Sequence, residues 1–142
     1  MDATNKETNL KRSIKKFFIE GLTTVPVYFD REITTGLLSN TPNQWVNVMI
    51  QAVKPMSVSI ASMPIYLFSK LDPEADALTA LRDQVVELLE PGRIDLYDTS
   101  VTPWVKIGGL FTIIDGQSRL TYNPDQSKMI WIMTTLRWGA KW

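Results

Sequence analysis

The chain has 142 residues, a length that suits one compact domain and is short for two. With 44% hydrophobic and 21% charged residues it has the composition of an ordinary folded protein. It contains no cysteine and no histidine, so disulfides, thiolate nucleophiles, cysteine zinc sites and the commonest metal ligand and acid–base group are excluded, and 15 basic against 15 acidic residues leave no bulk pull toward nucleic acid or membrane.

Residues 1 to 20 carry Lys6, Lys11, Arg12, Lys15 and Lys16 against Asp2, Glu7 and Glu20, with no apolar core of the signal-peptide kind. The longest uncharged runs, Ile33 to Val53 and Pro55 to Ser69, are interrupted by polar residues and proline and do not read as membrane spans. The expectation is a soluble protein made in a cytoplasm.

From Asn5 to Gly21, Leu10, Ile14, Phe17 and Phe18 recur at spacings of three and four among lysines and arginine, which predicts an amphipathic helix with a basic outer side. Gly21 suits the left-handed position just past its end. Val25 to Phe29 reads as a short edge strand, because Pro26 cannot donate a ladder hydrogen bond. Asp30 to Asn43 shows no period and reads as a long loop, a candidate contact arm.

Gln44 to Val53 alternates, with Val46, Val48, Ile50 and Ala52 on one face and Trp45, Asn47, Met49, Gln51 and Val53 on the other. After Lys54-Pro55, Val58 to Phe68 resumes an extended pattern with Ile60, Ser62, Pro64, Tyr66 and Phe68 on one face; the two strands are expected to pair as an antiparallel ribbon. Asp72-Pro73-Glu74 predicts a helix start, and Leu78, Leu81, Val85, Leu88 and Leu89 its buried stripe up to Pro91-Gly92. Ile94 to Tyr97, Trp104 to Asp115 and Met129 to Trp138 read as strands divided by the turn dipeptides Thr102-Pro103, Asp115-Gly116 and Asn123-Pro124. The whole reads as one α+β domain over residues 1–142: a mainly antiparallel sheet with two helices on one face, in the order α-β-β-β-α-β-β-β. The other face stays open, and Trp45 and Met49 would make it greasy.

No catalytic constellation emerges. Asp72, Glu74 and Asp76 are explained by helix capping; Asp95 and Asp98 should point to opposite faces of a strand; Gly108-Gly109 inside a strand marks a bulge or a close approach rather than a phosphate loop. The expectation is a protein that is no enzyme, with no cofactor or metal. Charge placement is more informative: residues 70–98 hold three basic residues against eight acidic ones, opposite in sign to the first helix. Copies of the chain would attract one another if Lys15 and Lys16 of one face Asp83 and Glu87 of the next, whereas ordinary solvated helix faces would need no partner. Between Ile33 and Ser69 the only charge is Lys54, a depletion typical of interface centres and equally of a buried central hairpin. Of the tryptophans, Trp45, Trp104 and Trp131 suit a core, while Trp138 and Trp142 near the chain end would need a neighbour to be covered. The interface candidates are therefore Trp45, Met49, Trp138, Trp142, Lys15, Lys16, Asp83 and Glu87.

The order of parts resembles the tail terminator proteins of long-tailed, siphovirus-like bacteriophages: the helix Asn5 to Gly21, the paired strands Trp45 to Phe68, the run Ile65 to Ser69 into the capped helix Asp72 to Glu90, and the final strand Lys128 to Trp138. The resemblance implies a homo-oligomeric ring, a hexamer, on the head-proximal end of the tail tube, in the neck region of the virion. There it would stop polymerisation of the tail tube protein and offer a docking surface to the head-completion or connector protein. Genome DNA would pass without specific binding, and no membrane would be involved. The alternatives are another neck or tail component, such as a head-completion protein or tube subunit, or a cytoplasmic small-ligand-binding module.

Overall fold

In the computed structural model, which describes residues 3–30, 43–54, 58–123 and 127–139, the amphipathic N-terminal segment forms helix α1 (Glu7–Gly21) behind a short 3-10 turn, Ala3–Asn5. Its buried side carries Leu10, Ile14 and Phe18, as the spacing predicts, and also Asn9 and Ser13. These two polar residues, four apart on one helix face, accept backbone amides of a neighbouring strand and of the turn that follows it: Tyr97 N–H donates to Ser13 Oγ at 2.9 Å and Thr99 N–H to Asn9 Oδ1 at 3.0 Å.

Gly21 has a different role from the one expected. It is the last helical residue and is not among the positive-φ glycines; a β-carbon there would lie 2.5 Å from Leu88 Cδ1. Its missing side chain lets Leu88 of the second helix close over the end of α1.

Strand β1 (Val27–Phe29) lies at a sheet edge, as Pro26 requires, and pairs in parallel with β2 (Gln44–Val48). Next come β3 (Gln51–Lys54), β4 (Val58–Ser62) and β5 (Ile65–Ser69). Gln44 faces Ser69 in one pair and Gln51 faces Ser62 in the other, so the register carries across the interruption, where Met49 N–H donates to Pro64 O at 3.0 Å. The expected ribbon is thus present, in four pieces, broken where Pro64 has no amide to give. An irregularity between Gln51 and Lys54 shifts the alternation, and Val53 packs with Ile50 against the helix-side core instead of lying on the opposite face.

Helix α2 (Asp76–Leu89) is followed by β6 (Arg93–Asp98), β7 (Val105–Gln117), β8 (Thr121–Tyr122) and β9 (Lys128–Gly139). The mixed, mostly antiparallel sheet has nine strands among the described residues. Strand β9 is its spine, with β4 and β5 on one side, β7 and β8 on the other, and β6 beyond β7. The strand groups are five and four rather than three and three, because the ribbon is split and β8 is only two residues long. Asp115-Gly116, read as a turn, is an irregularity within β7, which runs on to Gln117.

The fold is α+β with both helices on one face. Leu10, Ile14 and Phe18 of α1 and Leu78, Leu81, Val85 and Leu89 of α2 join Val46, Val48, Ile65, Leu67, Ile130, Ile132 and Leu136 of the sheet in one cluster. Fully burying each such side chain contributes about 1.5–3 kcal/mol, so this cluster is what holds the helices down. At the edges of the sheet α1 is held by polar contacts: Asn9 and Ser13 to β6 on one side, and Lys11 to Asp30 at 2.5 Å, just past β1, on the other.

Asp72 caps α2 from four residues upstream. Its carboxylate accepts Leu78 N–H at 2.9 Å, Ala77 N–H at 3.2 Å and Ser69 Oγ–H at 3.0 Å, across a tight turn closed by Ala75 at φ 60°. The helix therefore begins at Asp76, later than Pro73 implied, while the capping role of Asp72 stands. Desolvation pushes this carboxyl up, but the two amides, the Ser69 hydroxyl and the Lys128 charge outweigh it and hold it below the ordinary aspartate value.

Candidate interaction surface

Strand alternation decides where the expected contact residues lie. In β2, Val46 and Val48 face the helices, so Trp45 and Asn47 face the other way. Trp45 is nevertheless only 1% exposed: its ring stacks on Phe68 at 4.9 Å and 7°, in a second cluster with Tyr28, Tyr66 and Met129. A tryptophan already covered within its own chain offers no surface to a neighbour, so Trp45 belongs to this small outer cluster and not to an interface. Trp138 is likewise corrected. It points to the helix side of β9, is 2% exposed, and its indole N–H donates to Thr4 O at 2.9 Å; the N-terminal segment is the neighbour its position seemed to require.

Met49 is half-buried at the break between β2 and β3. Trp142 and residues 31–42 of the expected contact arm lie outside the described residues. Trp104, expected in the core, is exposed near the β6–β7 turn with its ring 6.3 Å from Tyr97, and Trp131 is half-buried beside Tyr66 at 6.0 Å.

Three of the four charged candidates, Lys15, Lys16 and Asp83, have partners within the chain. Lys15 Nζ lies 5.8 Å from the Phe29 ring centroid; Lys16 pairs with Glu20 one turn on and stands 5.5 Å over Tyr97. The hydrogen bond to Glu20 raises the Lys16 pKa, against a smaller opposing effect of desolvation. Asp83 pairs with Arg82 at 2.9 Å, whereas Glu87 is exposed and has no ion pair among the described residues. The cations of α1 are thus less available to a second copy than their number suggests.

The uncovered apolar surface is elsewhere. Leu110 and Thr112 of β7 point to the helix side, which leaves Phe111 and Ile113 on the outer face, 59% and 47% exposed. Met133 on β9, 40% exposed, is next to them, since Ile113 faces Thr135 and Gly116 faces Met133. Phe111 is flanked in register by Arg137 of β9 and Arg93 of β6. Lys106 reaches Asp95 at 3.0 Å on the same side, and the Arg93 guanidinium lies over Gly109, where a β-carbon would come within 2.7 Å of Nε. Of the two readings of Gly108-Gly109, the bulge is present, since the single step from Leu96 to Tyr97 is matched by two from Gly108 to Lys106 and Ile107 is the extra residue; what closes on Gly109 is the Arg93 side chain and not a backbone.

Behind this patch, on the helix side of the same strand, α2 and β7 enclose an open groove of about 550 Å³. Val86, Leu89 and Ile114 give it an apolar floor; Asp83, Glu87 and Glu90 rim it, with Arg82 at the end near Gln117. The Thr112 hydroxyl, buried in its wall, has no hydrogen-bond partner among the described residues. The pairing of β6 with β7 ends at Arg93 and Phe111, so beyond that point β7 has β9 on one side and no strand on the other among the described residues.

Phe111, Ile113 and Met133 are not among the contact residues expected from the sequence, although the alternation of Leu110, Thr112 and their neighbours carries the signal; the arginines that flank Phe111 come from the adjacent strands and are brought there by the register. Among the described residues no group of three or more carboxylates is placed to hold a metal ion, and no helix is long and apolar enough to cross a membrane.

No protein-family model and no curated protein matches the chain. Chains of solved structures do match it, 23 in number. Among them is a structure that bears only a serial designation, with a TM-score of 0.59 and 7% sequence identity, covering 96% of this chain and 95% of that one. At that identity the likeness is one of fold: nearly the whole of this α+β arrangement has a counterpart of the same length in a solved protein.

Proposed function

We propose that the chain is a structural subunit of a bacteriophage tail, one that acts by contact and not by catalysis. In this reading copies join into a ring that caps the head-proximal end of the tail tube, ends its growth and presents a surface to the head connector. The observation that carries it is the Phe111–Ile113–Met133 patch, where three large apolar side chains on a rigid sheet face are each at least 40% exposed. Contiguous exposed apolar surface on ordered strands marks a contact site. The resemblance in the order of parts supplies the kind of assembly.

The test is the mass of the purified chain over a range of concentrations and after addition of the tube subunit from the same phage. Closed particles of one fixed subunit number support the reading. Open-ended growth into tubes would assign the chain to the tube itself, and a monomer under every condition, bound to no tube end, would contradict it.

A further inference from the structure

We infer that the two sides of β7 are the two halves of a single contact: the Phe111 patch of one copy seats in the α2–β7 groove of the next. The inference rests on the self-assembly reading above and names the surfaces that carry it. The patch and the groove share one strand but open on opposite faces, because Phe111 and Ile113 alternate with Thr112 and Ile114. A contact between two different surfaces of the same molecule is heterologous, and repetition of it builds a ring when the rotation closes.

The two surfaces match in chemistry. The patch presents a phenyl ring between Arg93 and Arg137; Arg93 and Lys106 share the single carboxylate of Asp95, at 3.6 and 3.0 Å, and Asp115 accepts the Thr135 hydroxyl, so the cations outnumber the carboxylates by three to two. The groove presents an apolar floor rimmed by Asp83, Glu87 and Glu90 against Arg82, and neither Glu87 nor Glu90 has an ion pair among the described residues. One side is cationic around an apolar knob and the other anionic around an apolar recess, which fixes the order of approach and disfavours patch-on-patch pairing.

The experiment uses the full chain and two variants, Phe111→Asp for the patch and Glu87→Lys with Glu90→Lys for the groove, each checked by thermal melt and followed by native mass measurement at low salt. All three positions are exposed, so the variants should melt near the wild type; Met133→Asp serves as a second patch variant. Each variant alone should associate roughly thirtyfold or more weakly than the wild type. Mixed in equal amounts, the two should form dimers and nothing larger, since only one intact patch and one intact groove remain per pair. Wild-type assembly that both variants retain, or a mixture without dimers, would overturn this contact while leaving self-assembly standing. A wild type that never associates would remove both.

Discussion

The indole N–H of Trp138 donates to the carbonyl oxygen of Thr4 at 2.9 Å, joining the last described strand to the first described turn across nearly the whole sequence. The ring is buried in the core cluster, so the bond is made out of water and the N-terminal turn is fastened to the sheet. Trp138→Phe should cost about 1 kcal/mol for the lost bond, and Trp138→Ala about 3–5 kcal/mol for the cavity, read as shifts of the urea midpoint at constant slope. Trp138→Asp should unfold the chain and not merely dissociate an assembly. A folded Trp138→Asp protein would show that this side chain is not part of the core.

Asn9 makes the corresponding polar connection between α1 and the end of β6. Its Oδ1 accepts both Thr99 N–H and Thr99 Oγ–H, and its Nδ2 donates to Ala3 O at 3.0 Å. Asn9→Ala strands a buried amide and should destabilise by roughly 1–3 kcal/mol in equilibrium denaturation. Asn9→Asp keeps both acceptor positions and should recover part of that loss at neutral pH.

Asp72 makes stability depend on pH in the acid range. Because its folded pKa is depressed, the carboxylate stabilises the fold above its unfolded value of about 3.8, and that contribution is lost as pH falls through the folded pKa. Asp72→Asn should therefore be less stable than the wild type at pH 7, with a difference that shrinks on acidification below about pH 4. Asp72→Ala, which removes the cap altogether, should cost about 1–2 kcal/mol at pH 7. Chemical denaturation at a series of pH values checks both, and a gap between wild type and Asp72→Asn that is independent of pH would contradict the capping account.

Gly21 tests how the two helices meet. With Leu88 Cδ1 2.5 Å from where a β-carbon would be, Gly21→Ala should lose about 1–3 kcal/mol to overpacking, despite alanine's better helix propensity. Shortening the opposing side chain, in the double variant Gly21→Ala with Leu88→Ala, should recover part of the loss in a double-mutant cycle.

Much of this fold is legible in the residues themselves. The stripes of Leu10, Ile14 and Phe18 and of Leu78, Leu81, Val85 and Leu89 mark both helices, and alternation around Trp45 and Tyr66 marks the ribbon. What the pattern does not reveal is what covers each face. Val46, Ile65 and Leu67 lie under helices, and Trp45 and Phe68 lie under each other, yet all occur in uncharged strands that read equally well as an interface. A cover that comes from a distant part of the chain, as Thr4 does for Trp138, leaves no local trace. Phe111 and Ile113 are hidden in the sequence for a related reason: their alternation with Leu110 and Thr112 is visible, but not which face stays uncovered, and only the register shows that Phe111 stands between Arg93 and Arg137.

The most direct measurement is electron microscopy of tail tube subunits polymerised with and without this protein. Tubes of limited length that each end in one closed ring, with rings lost in the Phe111→Asp variant, are the expected result. Tubes of equal length in both samples, with bare ends, would contradict the proposed capping role.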